Sequence, residues 1–169
     1  MILVFDTYYF ENKAKTVCLE FNQWTDEKES NIYEETLEDI NEYVSGEFYK
    51  RELPCIISLL KKINLENCEA IIIDGFVVLN DEDKNGLGGF LYQELNKCIP
   101  IIGVAKNNFN QVTLNKRAVY RGNSKKPLYI TAKGINLDEA SQKIMQMNGD
   151  YRIPYLLKRV DSIGRENNN

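Results

Sequence analysis

Asp6 and Asp74 are the residues on which chemistry could be built. Each is the lone acid in an apolar or aromatic run, Ile2-Leu3-Val4-Phe5-Asp6-Thr7-Tyr8-Tyr9-Phe10 and Ala70-Ile71-Ile72-Ile73-Asp74-Gly75-Phe76. An ionised carboxylate in such surroundings is costly to desolvate unless a metal or a partner compensates it. Two central strands that each present one aspartate can place both carboxylates on one cation. Glu52, ahead of a helix start at Pro54, and Asp161, on the last helical segment, could add further oxygens, and Lys106 ends a third apolar run. Carboxylates from separate segments can hold Mg²⁺, activate a water and stabilise the leaving oxygen of a phosphodiester. Lys106 could offset the negative charge that develops on the phosphate. The chain has no histidine, which removes Ser-His-Asp and Cys-His catalysis and His-ligated zinc, and leaves oxygen-ligated hard cations.

The elements that must position these groups read as follows. Residues 2–10, 15–21 and 30–37 form three antiparallel strands, the third polar enough to serve as an edge. A helix starts at Pro54 with Ile56, Ile57, Leu59, Leu60 and Ile63 inward. The strand ending at Asp74 has the continuous apolar character of one buried on both faces. After a polar loop over 79–85, Gly86-Leu87-Gly88-Gly89 opens a second helix. Its glycines could admit a phosphate or allow close packing. Pro100 to Lys106 is a parallel strand if that helix is a right-handed crossover. A hairpin follows around Gly122-Asn123-Ser124, then a helix capped by Asn136 and a last helix after Pro154. The expected fold class is α/β, a mixed sheet of three antiparallel strands plus parallel strands flanked by helices. It forms one domain over residues 1–165 with a disordered tail over 166–169.

The formal charge of −4 on 169 residues hides a partition. Asp26 to Glu47 holds nine acids and one lysine, a net −8, so the remainder carries +4. Pro100 to Gly134 holds Lys106, Lys116, Arg117, Arg121, Lys125, Lys126 and Lys133 with no acid, and Phe109, Tyr120 and Tyr129 lie among them. A face for a polyanion and a solvated basic edge both fit. Cys18, Cys55, Cys68 and Cys98 lack CxxC spacing and read as buried thiols. No apolar stretch reaches the length of a membrane span. A cytoplasmic, monomeric protein with no membrane association is expected.

In order, the motifs resemble those of the endonuclease V family. Asp6-Thr7-Tyr8-Tyr9 matches its Asp-x-x-Tyr strand. Tyr43-Val44-Ser45-Gly46 and Arg51-Glu52-Leu53-Pro54 match its Tyr-x-Pro-Gly loop and Arg-Glu-x-Pro motif at the same spacing. Asp74-Gly75 matches its Asp-Gly turn and Pro100 to Lys106 its Pro-x-x-Gly-Val-Ala-Lys strand. Lys126-Pro127-Leu128-Tyr129 and Tyr151-Arg152-Ile153-Pro154 are similar to later landmarks. The resemblance implies a ribonuclease H-like fold, with Asp6, Glu52 and Asp74 as metal-binding catalytic carboxylates, Asp161 as a supporting acid and Lys106 near the scissile phosphate. It implies Mg²⁺, or Mn²⁺, as cofactor, and inosine-containing DNA or RNA as partner, cut on the 3′ side of the inosine in repair or RNA processing. Tyr43 would fill the gap left by an everted base, and Gly46 and Gly75 would lend backbone contacts to it.

The chain departs from the family pattern at two places. Asn80 stands where the family carries a histidine, and it cannot exchange a proton near neutral pH. Ser45 replaces the proline of the Tyr43 loop, which should relax that loop. A non-catalytic inosine or single-strand binding protein on the same fold, and a nuclease that reads structure rather than base, are the rival readings.

Overall fold

The computed structural model describes residues 1–40 and 47–166 of the chain. The strands are β1 (Ile2–Phe10), β2 (Lys13–Phe21), β3 (Asn31–Glu38), β4 (Ala70–Asp74), β5 (Ile101–Ala105), β6 (Arg117–Val119) and β7 (Leu128–Lys133), and the helices are α1 (Phe48–Leu60), α2 (Leu87–Glu94), α3 (Leu137–Gln146) and α4 (Tyr155–Arg165). The strands form one sheet in the order β3-β2-β1-β4-β5-β7-β6. β1, β4 and β5 are parallel neighbours at its centre, and every other pairing is antiparallel. This is the mixed ribonuclease H-like sheet that the sequence leads one to expect.

Alternation along the strands divides the interior into two layers. Ile2, Val4, Ile72, Ile102 and Val104 face α3 and α4, where Ala140, Ile144, Leu156, Val160 and Ile163 complete one core. Leu3, Phe5, Ile71, Ile73 and Ile101 face α1 and α2, where Ile56, Leu59, Leu60 and Leu91 complete the other. β4 and β5 are apolar at both parities because each is covered on both faces. The exposed or half-buried alternation of β3 suits its place at the edge.

α1 corrects the expected start at Pro54. The helix begins at Phe48 and carries Pro54 inside it, on the exposed side. Tyr49 and Leu53 already pack on the core that Ile56 and Leu60 extend, so the apolar stripe begins a turn and a half before the proline. Tertiary burial thus outweighs the missing hydrogen bond to the Lys50 carbonyl. Glu52 accordingly lies within the helix, not ahead of it.

The cysteines also depart in part from expectation. All four are free thiols, but Cys98 is exposed and Cys68 only partly buried. The side chain of Asn136 does cap α3, accepting from the amides of Asp138 at 2.9 Å and Glu139 at 3.2 Å.

β5 meets the turn after β4 at Gly103. A Cβ there would stand 2.4 Å from the Gly75 carbonyl oxygen and 2.8 Å from Thr131 Oγ1, the hydroxyl that accepts the Val77 amide at 2.8 Å. Gly103→Ala must therefore push the Gly75–Val77 segment off the sheet. The variant should lose about 2 kcal/mol of stability, within the usual cost of overpacking, and urea denaturation at constant m-value measures it.

Candidate active site

Strand register brings Asp6 and Asp74 together. Ile2 lies beside Ala70 and Phe5 beside Ile73 in the parallel β1–β4 pair, so one further step sets Asp6 beside Asp74 at the rim. Asp74 is in register with Val104 of β5, and Lys106 follows two residues on, with the same parity. All three therefore issue on the face covered by α4. One pocket is lined by Asp6, Asp74, Lys106 and Asp161 above an apolar floor that includes Val4, Ile72, Val104 and Val160.

α4 is pinned where it can deliver Asp161. Lys15 Nζ donates to the carbonyl oxygens of Ile163 at 3.0 Å and Glu166 at 3.1 Å, a cation at the helix C-terminus. Arg159 grips Glu29 with Nε at 3.1 Å and Nη2 at 2.9 Å. Asp161 itself pairs with Arg165 at 3.0 Å.

The carboxyls resist ionisation together. Burial, then the charges of Asp74 and Asp161 and a hydrogen bond with Asp161, push Asp6 up to about 7, against a donation from the Thr7 amide. Asp74 opens to solvent at the pocket mouth, yet it too is raised, by desolvation on its protein side and by Asp161, with Lys106 pulling the other way. Glu52 is 4 % exposed and raised well above the usual range, first by burial and then by Asp6 and Asp74.

Glu52 reaches the acids from the opposite face of the sheet. It belongs to α1, hydrogen-bonds with Thr7 and does not line the pocket of Asp6, Asp74 and Asp161. Sequence reading missed the residues that hold it. The Arg51 guanidinium stacks 3.6 Å from the centre of the Tyr9 ring and stabilises the charged form of Glu52. Tyr9 Oη and Arg51 Nε are buried with no hydrogen-bond partner among the described residues. The signal was in plain sight, since Tyr9 and Arg51 both belong to the quoted motifs; their pairing between β1 and α1 was not.

Among the described residues no three acidic or sulfur side chains stand as a ready-made metal cage. The donor chemistry nonetheless suits a hard divalent cation. Mg²⁺ keeps several waters and is commonly bound through one or two carboxylates, and adjacent, mutually repelling Asp6 and Asp74 supply two.

Other expected site residues fall variously. Gly75 takes a φ of +126°, a backbone open to glycine, and no heavy atom lies within 4 Å of where its Cβ would be. Asn80 spends its Oδ1 on its own turn, accepting from the amides of Glu82 at 3.0 Å and Lys84 at 2.9 Å. Tyr43 and Gly46 lie outside the described residues. The basic segment is less uniform than its composition implies. Arg121 is buried, Arg117 pairs with Asp138 at 2.7 Å and Lys133 with Asp83 at 3.4 Å. Lys106, Lys125 and Lys126 face solvent.

No protein-family model and no curated protein matches the chain. Solved structures do. Endonuclease V of Ciona intestinalis, in complex with a DNA containing an inosine followed by a ribo-adenosine, superposes with a TM-score of 0.80 at 16% identity, over 98% of this chain and 84% of that one. Endonuclease V of Streptomyces avermitilis gives 0.73 at 21% identity, covering 97% and 79%. That of Bacillus subtilis gives 0.73 at 20%, covering 96% and 77%. These likenesses identify the fold of this chain as that of the endonuclease V structures.

Proposed function

We propose that the protein is a divalent-metal-dependent endonuclease that cuts inosine-bearing DNA or RNA on the 3′ side of the inosine. The observation that carries this reading is the meeting of Asp6 and Asp74 on neighbouring parallel strands, with Lys106 and Asp161 on the same pocket. The likeness to an endonuclease V that holds inosine-containing DNA adds the substrate class.

In this reading Asp6 and Asp74 hold Mg²⁺ or Mn²⁺, with Glu52 and Asp161 as flanking carboxylates. A cation so held supplies the charge that activates a water and stabilises the leaving oxygen. Lys106 is exposed at the pocket mouth and meets the negative charge growing on the phosphate. Gly75 lets the main chain approach a flipped base closely, and the motif resemblance assigns Tyr43 to fill the gap that the base leaves and Gly46 to lend it a backbone contact. Asn80 can orient a water or phosphate through its amide nitrogen. It cannot carry a proton, which favours as the second reading a protein that binds inosine without cutting.

Incubating inosine-containing DNA and RNA strands with Mg²⁺ or Mn²⁺ tests the proposal. Wild-type protein should cut one bond 3′ of the inosine, and Asp74→Ala should lose at least about 100-fold in rate, the scale set by removing one charge-stabilising group. Binding without cleavage under either metal would establish the second reading.

The raised carboxyls make a separate prediction. Native Asp6 holds its proton to about 7, whereas the unfolded chain releases it near the ordinary aspartate value. Between those limits the native state binds more protons, so metal-free stability should fall as pH rises. Thermal melts should show that slope, Asp6→Asn should flatten it, and Mg²⁺ should raise the midpoint more at about pH 8 than at about pH 5. An Mg²⁺ response independent of pH would contradict the assignment.

A further inference from the structure

Beside the acid pocket two loops are clamped into one rigid piece. The Arg121 guanidinium, 5% exposed, donates to the carbonyl oxygens of Met147 at 2.6 Å, Tyr151 at 2.8 Å and Gly149 at 3.2 Å. Gly122 packs so closely that a Cβ would stand 2.4 Å from the Asp150 carbonyl oxygen. Arg152 then binds the carbonyl oxygens of Pro127, at 2.7 Å, and of Lys106, and Ile153 lines the pocket of Asp6 and Asp74. The clamp is thus continuous with the rim that carries Lys106.

Two large aromatics stand out from this clamp. Tyr151 is 79% exposed and Tyr120 58%. Holding such rings in water on a rigid base forgoes apolar burial, but it prepares flat faces that lose little entropy when something stacks on them. Lys125 and Lys126 are exposed in the same loop and make no ion pair among the described residues, while Asp150 is the acid nearest by sequence to the exposed rings. Aromatic faces beside unpaired lysines suit a polyanion with accessible bases.

We propose that Tyr120 and Tyr151 form a stacking platform for unpaired bases of the strand that enters the acid pocket, with Lys125 and Lys126 holding its phosphates. The proposal rests on the nucleic-acid reading of the site and adds to it a surface that recognises single strand without reading inosine. Duplex bases, already stacked on one another, cannot use it; a splayed strand can.

The test measures fluorescence anisotropy of a labelled, inosine-free oligodeoxythymidine of about 15 nucleotides, near the upper site size of a stacking groove, with EDTA present so that no strand is cut. Tyr120→Ala with Tyr151→Ala should weaken binding about 10-fold or more, whereas Phe at both positions should keep it within about twofold, since the π-face remains. An inosine-containing strand is run in parallel. If wild type binds that strand and the Ala variant binds both strands as tightly as wild type, the platform is wrong and the endonuclease reading survives. Equal loss in the Ala and Phe variants would also overturn it. If wild type binds neither strand, the platform is wrong, and the metal-containing cleavage assay decides the endonuclease reading by itself.

Discussion

Like charges forced together govern this structure. β1 and β4 run side by side in a register that brings Asp6 up against Asp74, and Asp161 and Glu52 are brought in from helices on opposite faces of the sheet. Carboxylates so placed repel one another and lose hydration, a combination that costs stability and persists when a function requires it. Lys106 and Arg51 relieve the strain only in part, one acting on Asp74 and the other on Glu52. The proposed divalent cation is the natural complement to the remaining charge.

The surrounding scaffold is devoted to holding that arrangement still. Lys15 of β2, and Arg159 through Glu29 in the connection to β3, fix α4 in place, so the position of Asp161 is set by contacts outside the pocket. On the other face Thr7 bridges to Thr16 of β2 at 3.2 Å and hydrogen-bonds Glu52. Gly103 and Thr131 seat the turn after Asp74 close against β5 and β7. Gly103 belongs to the Pro-x-x-Gly-Val-Ala-Lys run, and its lack of a side chain has a specific cause, the Gly75 carbonyl lying where a Cβ would be.

Much of this was legible in the sequence because the periodicities are strong. The apolar runs of β1, β4 and β5, with Asp6 inside the first, Asp74 at the end of the second and Lys106 just past the third, follow from alternation and from burial on both faces. Other features were not, each for a physical reason. Pro54 reads as a helix start by local preference, yet the stripe of Tyr49 and Leu53 extends the helix past it. Arg121 reads as part of a basic surface, but its donors are consumed by four carbonyls that lie far along the chain. The approach of Glu52 from the face opposite Asp161 depends on which side of the sheet each helix packs, and composition carries no trace of that. Tyr43 and Gly46, named from motif order, fall outside the described residues.

The proposed site requires Asp6 and Asp74 to share one cation. Anomalous diffraction from crystals soaked in Mn²⁺ measures this most directly. The account predicts a peak at the rim between β1 and β4, with a carboxylate oxygen of both Asp6 and Asp74 at about 2.1 Å, the distance range of small octahedral cations. A site empty of anomalous density in crystals that bind Mn²⁺ elsewhere, or a peak that touches neither aspartate, would contradict it.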